Sequence, residues 1–182
     1  MKKYVFRILA AMFCLLLHSQ AISLPTAAAD DEATLTIGSQ APDIDIETWV
    51  SDRDGKFAHV PKLKSDKIYV IAFWATWCGP CVGDQPHLQE AWERFGGDNF
   101  RIVSVSFDVS WADVERFRKE RYAMPWDHTY LTGKDSDEAW QMFDIDGIPR
   151  VVLVDPEGRI VRVDHGLRGA GLVKTLAEII GE

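Results

Sequence analysis

Three cysteines in 182 residues are too few to staple a small core together, so a disulfide-built scaffold is excluded. Positive charge is scarce as well. Lys and Arg number 20 against 28 Asp and Glu, a formal net charge of −8. That balance argues against nucleic acid or anionic lipid as a partner, because both demand basic patches. The apolar stretch Ile8 to Leu17 holds about ten residues, short of the roughly 20 that a comfortable membrane span requires. Metal-ligand spacing is missing too. His59, His87, His128 and His165 are scattered, and one CxxC supplies only two of the about four ligands that a zinc site needs. No metal and no cofactor is expected, and neither an internal repeat nor a low-complexity tract is found. What remains is a chain with 47% apolar and 11% aromatic residues, enough for one domain with a real core.

The N-terminus reads as an export signal. Lys2, Lys3 and Arg7 precede the short apolar stretch, and the small residues Ala27-Ala28-Ala29 follow it. Residues 1–29 are therefore expected to be a signal peptide cut after Ala29, with an earlier cut after Ala21 as a variant. The alternative is an uncleaved anchor over residues 5–24. Loss of residues 1–29 removes Cys14 and three positive charges, taking the formal net charge from −8 to −11. One cysteine pair is then left. An extracytoplasmic place, the periplasm, is expected for the mature protein. Residues 30–37 read as a polar linker and 38–182 as the folded domain.

That pair lies in Trp77-Cys78-Gly79-Pro80-Cys81. The apolar run Ile68 to Trp74 before it reads as a buried strand, and the residues after it read as a helix to about Phe95. Cys78 then sits at a helix N-terminus, where free backbone N–H groups and the macrodipole favour a thiolate. The thiolate is the nucleophile of thiol–disulfide exchange, and Cys81, one turn on, can close a disulfide with it. Pro86 falls inside the helix and is expected to kink it.

Elsewhere, alternation at Ile44 and Ile46, the turn Ser51 to Gly55 and the return Lys56 to Val60 predict a β-hairpin over 44–60. Phe100 to Phe107 and His128 to Leu131 read as strands. Trp111, Val114 and Phe117 are spaced as on one helix face. Asp135 to Phe143 reads as a short helix burying Ala139, Met142 and Phe143. Val151 to Val154 is a buried strand, Asp155-Pro-Glu-Gly158 a turn, Arg159 to Val163 its antiparallel return, and Leu172 to Ile180 the last helix. Strands alternating with helices and ending in a hairpin predict an α/β domain with a mixed sheet.

On these residues the chain resembles the thioredoxin superfamily. Trp77-Cys-Gly-Pro-Cys81 matches the family motif, and Gly147-Ile148-Pro149 before Val151 to Val154 resembles its cis-proline loop. More narrowly, the Gly38 to Asp43 opening, the added N-terminal hairpin and the long insertion before Pro149 resemble the exported TlpA/ResA-like thiol–disulfide oxidoreductases. The resemblance implies a thioredoxin fold, a central mixed β-sheet flanked by helices with an N-terminal β-hairpin. It also implies a protein-disulfide reductase of exported proteins, with disulfide-bearing substrate proteins and a membrane electron donor as partners. A monomer is expected. Cys78 would attack, Cys81 would resolve, and Trp77, Gly79, Pro80, Ile148 and Pro149 would meet the substrate. Two positions depart from thioredoxin itself. Ala72 stands where thioredoxin carries a buried Asp, and Arg150 where it carries Thr. Asp84, three residues after Cys81 and followed by Pro86, matches an acid of the TlpA/ResA-like group and is a candidate base for Cys81, with a solvated helix carboxylate as the plainer reading. Arg150 would favour a thiolate or attract acidic partners, or else point into solvent. A copper-handling protein of this fold would use CxxxC spacing, and a peroxiredoxin would place Thr or Ser three residues before its cysteine. This chain has CxxC and Ala75 there.

Overall fold

A computed structural model describes residues 35–42, 49–50, 66–163 and 165–181. The expected signal and most of the expected hairpin over 44–60 lie outside the described residues. Among those described, six strands form one sheet in the order β1-β4-β3-β2-β5-β6. They are β1 (Trp49–Val50), β2 (Ile68–Trp74), β3 (Phe100–Ser106), β4 (Asp127–Tyr130), β5 (Arg150–Val154) and β6 (Ile160–Arg162). β2, β3 and β4 run parallel, whereas β1, β5 and β6 pair antiparallel with their neighbours.

The central run of β2 is continuously apolar because both of its faces are covered. Period-two alternation divides it. Val70, Ala72 and Trp74 face a cluster that includes Cys78, Cys81, Leu88, Phe117 and Leu176. Tyr69, Ile71 and Phe73 face a second cluster built with Leu131, Ala139, Phe143 and Ile145. The first side is covered by α1 (Gly79–Phe95), α2 (Trp111–Glu120) and α4 (Ala170–Ile180), and the second by α3 (Gly133–Met142). The insertion read from Trp111, Val114 and Phe117 is therefore a helix with Val114 and Phe117 buried.

α1 buries Cys81, Gln85, Leu88 and Ala91, one stripe at spacings of three and four. It runs through Pro86, which stands on the exposed side, so the missing N–H falls where water can serve the freed carbonyl. Gly96 ends it, and there a Cβ would collide with the Trp92 carbonyl oxygen.

Two sequence expectations are adjusted. α3 buries Ala139, and Phe143 closes the same face one turn on, but Met142 is 36% exposed. Met142 is the last residue of α3, rotated off the Ala139–Phe143 line, and solvent takes it. Packing also begins before Gly38, since Leu35, within the stretch read as linker, is buried in the second cluster. Residues 38–41 then cover the outer edge of the sheet. The Gly38 N–H donates to the Ile160 carbonyl, the Ile160 N–H to Ser39 and the Ala41 N–H to Gly158, each at 2.8 Å. That cover satisfies an edge that would otherwise be open to another chain.

Candidate active site

The site forms where the parallel strands end. β2 delivers the chain at Trp74, residues 75–77 turn, and α1 starts with Cys78 as its N-cap. Pro80 occupies the first turn, where its missing N–H costs nothing. Cys78 and Cys81 are joined in a disulfide with their Cα atoms 5.2 Å apart. The Cys81 N–H donates to Cys78 Sγ at 3.2 Å, so a backbone donor already points at the sulfur that would carry negative charge after reduction. The helix end adds its partial positive charge to the same atom. Cys78 is 5% exposed and Cys81 1%, so the first is the one within reach of a substrate.

The opposite wall is the loop before β5. The Ile148–Pro149 peptide bond is cis, and Cys78 Sγ lies 3.6 Å from the Ile148 carbonyl oxygen. Trp77 stands beside the pair, 68% exposed, an apolar surface without a packing role of its own. Trp74, by contrast, is core, in tilted contact with Phe117 at 5.2 Å between ring centroids.

Asp84 lies one turn beyond Cys81, and its carboxylate is engaged. Oδ2 accepts from Arg168 Nε at 3.3 Å and Oδ1 from the Gly169 N–H at 3.2 Å. The side chain keeps 17% exposure, and the pair ties α1 to the start of α4. It is thus not the freely solvated helix carboxylate of the plainer reading. Ala72, where thioredoxin has its acid, is buried in the same cluster as the two cysteines and brings no titratable group to them. Gln85, also buried, donates from Nε2 to the Cys81 carbonyl at 3.4 Å, while its Oε1 has no partner.

Arg150 opens β5 opposite Phe73 in the register. It does not stand free in solvent: the side chain is half-buried, and Nε is fully covered with no hydrogen-bond partner.

Sequence reasoning missed Asp108. It follows β3, is 2% exposed, and lies under the turn that leads into Cys78. Oδ2 accepts from the Thr76 N–H at 2.9 Å and from the Ser106 hydroxyl at 2.6 Å, and Oδ1 accepts from the Thr76 hydroxyl at 2.6 Å. A buried carboxylate is tolerated only with such a full set of donors. The signal was Thr76 two residues before Cys78, together with an acid at the end of a strand pairing with β2. Asp108→Ala is expected to lower stability by about 3 kcal/mol, because the buried Ser106 hydroxyl and the half-buried Thr76 N–H and hydroxyl lose their acceptor. Urea titration of the oxidised protein checks this, and a loss below about 1 kcal/mol would show that the turn holds itself.

A family model described as thioredoxin-like matches residues 66–160, just over half of the chain. The chain is 24% identical over 165 residues to thiol-disulfide oxidoreductase ResA of Oceanobacillus iheyensis, covering 90% of this chain and 82% of that protein. It is 26% identical over 147 residues to ResA of Bacillus subtilis, covering 81% and 77% respectively. The solved thioredoxin domain of a thiol-disulfide oxidoreductase from Bacteroides vulgatus superposes with a TM-score of 0.69 at 29% identity, covering 81% of this chain and 99% of that one. A paired CxxC at a helix N-terminus and these likenesses agree on thiol–disulfide oxidoreductase chemistry, and the chain belongs to the thioredoxin-like family.

Proposed function

We propose that this thiol–disulfide oxidoreductase acts outside the cytoplasm as a reductase of exported proteins, recharged by a membrane electron donor. The observation that carries the chemistry is the position of Cys78 Sγ, at the N-cap of α1, in contact with the Cys81 N–H and facing the Ile148 carbonyl. In the reduced protein the Cys78 thiolate attacks one sulfur of a substrate disulfide and expels the other as a thiolate. Cys81 then loses its proton, attacks Cys78 Sγ, and releases the second substrate sulfur. The substrate leaves with two thiols, and the Cys78–Cys81 disulfide holds the oxidation until two electrons and two protons return it to the dithiol. Asp84 would accept the Cys81 proton. An extended substrate segment would lie along Ile148 and Pro149, with Trp77, Gly79 and Pro80 as the facing surface.

The reducing direction is supported by the Gly79-Pro80 dipeptide, which resembles that of thioredoxin, whose potential is about −270 mV. The extracytoplasmic place is supported by Lys2, Lys3 and Arg7 before a short apolar stretch and by Ala27 to Ala29 after it. Labelling of intact cells with a membrane-impermeant maleimide tests both. Cys78 is expected to be labelled without lysis, and in larger part than after removal of the electron supply. Protection of Cys78 until the cells are broken would overturn the place. A pair that stays oxidised in growing cells would overturn the direction.

A further inference from the structure

A cavity of about 370 Å³ opens beside the Ile148–Pro149 loop. Asp146, Ile148, Pro149, Arg150, Val163 and Arg168 are among its walls. It adjoins the reacting sulfur through Ile148, whose carbonyl oxygen is 3.6 Å from Cys78 Sγ. Strand alternation places Arg150 with Val152 and Val154, on the sheet face opposite the cysteines. The guanidinium therefore serves the cavity rather than the disulfide directly.

Arginine is concentrated in this cavity, although the chain as a whole is acidic. Two guanidinium groups and one carboxylate line it, on a protein with a formal net charge of −8. Arg150 Nε is buried and has no acceptor. Its guanidinium is thus held without an anionic partner among the described residues, and the cavity is where one could reach the lining residue. Arg168 gives its Nε to Asp84 and stands at the rim with its side chain 34% exposed, its charge offset by that carboxylate, so Arg150 is the cation left to an incoming anion. A planar guanidinium fits a carboxylate through paired N–H donors better than it fits any neutral group.

We infer that this cavity is a subsite for a carboxylate, filled by an acidic side chain of the substrate polypeptide within about two residues of the cysteine under attack. An extended segment advances about 3.3 Å per residue, so a residue two places from the cysteine reaches the cavity while the cysteine meets Cys78. The inference rests on the reductase reading and adds its substrate class, disulfides flanked by Asp or Glu.

Two capped disulfide peptides test it, identical except for Glu or Gln two residues from the cysteine. The expected result is a kcat/KM about tenfold higher for the Glu peptide at low ionic strength, shrinking in about 0.5 M salt as the charges are screened. Arg150→Gln should bring the ratio of the two peptides close to one, and Arg150→Lys should keep a good part of it. The salt dependence is read on the unaltered protein, so the test survives even if a substitution weakens the fold. Equal kcat/KM for both peptides, or a preference that persists in Arg150→Gln, would overturn the subsite while leaving the reductase intact. Failure to reduce either peptide would instead remove the reductase reading and the subsite with it.

Discussion

Cys78→Ser is expected to bring disulfide reduction to the uncatalysed background, a fall on the order of 10³-fold or more, since an essential covalent nucleophile is lost. Cys81→Ser should behave differently. Its Cys78 thiolate still attacks once, and the product then stalls as a mixed disulfide because the resolving sulfur is gone. The asymmetry follows from the geometry. Only Cys78 sits at the N-cap, faces the Ile148 carbonyl oxygen and accepts the Cys81 N–H, whereas Cys81 is 1% exposed behind it. Insulin reduction with a chemical reductant gives the first readout, and mass spectrometry of the Cys81→Ser adduct gives the second. If Cys81→Ser retained turnover while Cys78→Ser formed the stable adduct, the roles would have to be exchanged. Asp84→Asn belongs to the same series. Without its carboxylate, release of the mixed disulfide should slow about tenfold, a modest share of what a positioned base supplies. Release rates identical across pH would return Asp84 to the purely structural task of holding Arg168 and Gly169.

The strand–helix junction at Cys78 was legible because every signal for it is local. The run Ile68 to Trp74 is apolar at each position, Pro80 suits a first turn, and the helix stripe Cys81, Gln85, Leu88 and Ala91 repeats at three and four residues. The insertion helix was legible for the same reason, from Trp111, Val114 and Phe117. Asp108 was not. Its role depends on β3 lying parallel beside β2, which brings residue 108 to Thr76 across 32 positions of chain. Arg168 and Asp84 meet across 84 positions, and no periodicity encodes that. The cover that residues 38–41 give to β6 is of this kind as well, since an edge exists only once the strand order is fixed. Patterns within one element reveal what that element buries. They are silent on which elements share an end of the sheet, and the polar parts of this site are assembled there.

His128 shows how a residue outside the site can control whether the site exists at all. It lies in β4 with register partners on both sides, Ser104 on β3 and Val50 on β1, and it is fully buried. Nε2 contacts the Met124 carbonyl oxygen at 2.9 Å, which makes it the protonated nitrogen of a neutral ring, and the ring stacks on Trp126 at 5.9 Å. Nδ1 is buried with no partner, so a second proton would find neither water nor an acceptor. Burial first, and then the Arg118 cation, lower the pKa from 6.5 to about 3, while the Met124 carbonyl opposes them. The unfolded chain binds this proton below its ordinary pKa and the folded chain does not, so stability is full above pH 6.5 and declines as pH falls toward 3. The slope approaches about 1.4 kcal/mol per pH unit, with a ceiling of about 5 kcal/mol for the whole interval. Between pH 7.5 and pH 5.0 the loss from this residue alone is about 2 kcal/mol. His128→Gln keeps an N–H donor and cannot titrate. It is expected to start less stable at pH 7.5, because the ring packing against Trp126 is lost, yet to decline less steeply by roughly those 2 kcal/mol. Urea midpoints of both proteins, taken oxidised across this range, decide the matter. Parallel pH profiles would mean that His128 takes its proton while folded, and the acid sensitivity would then belong to carboxylates elsewhere in this acidic chain.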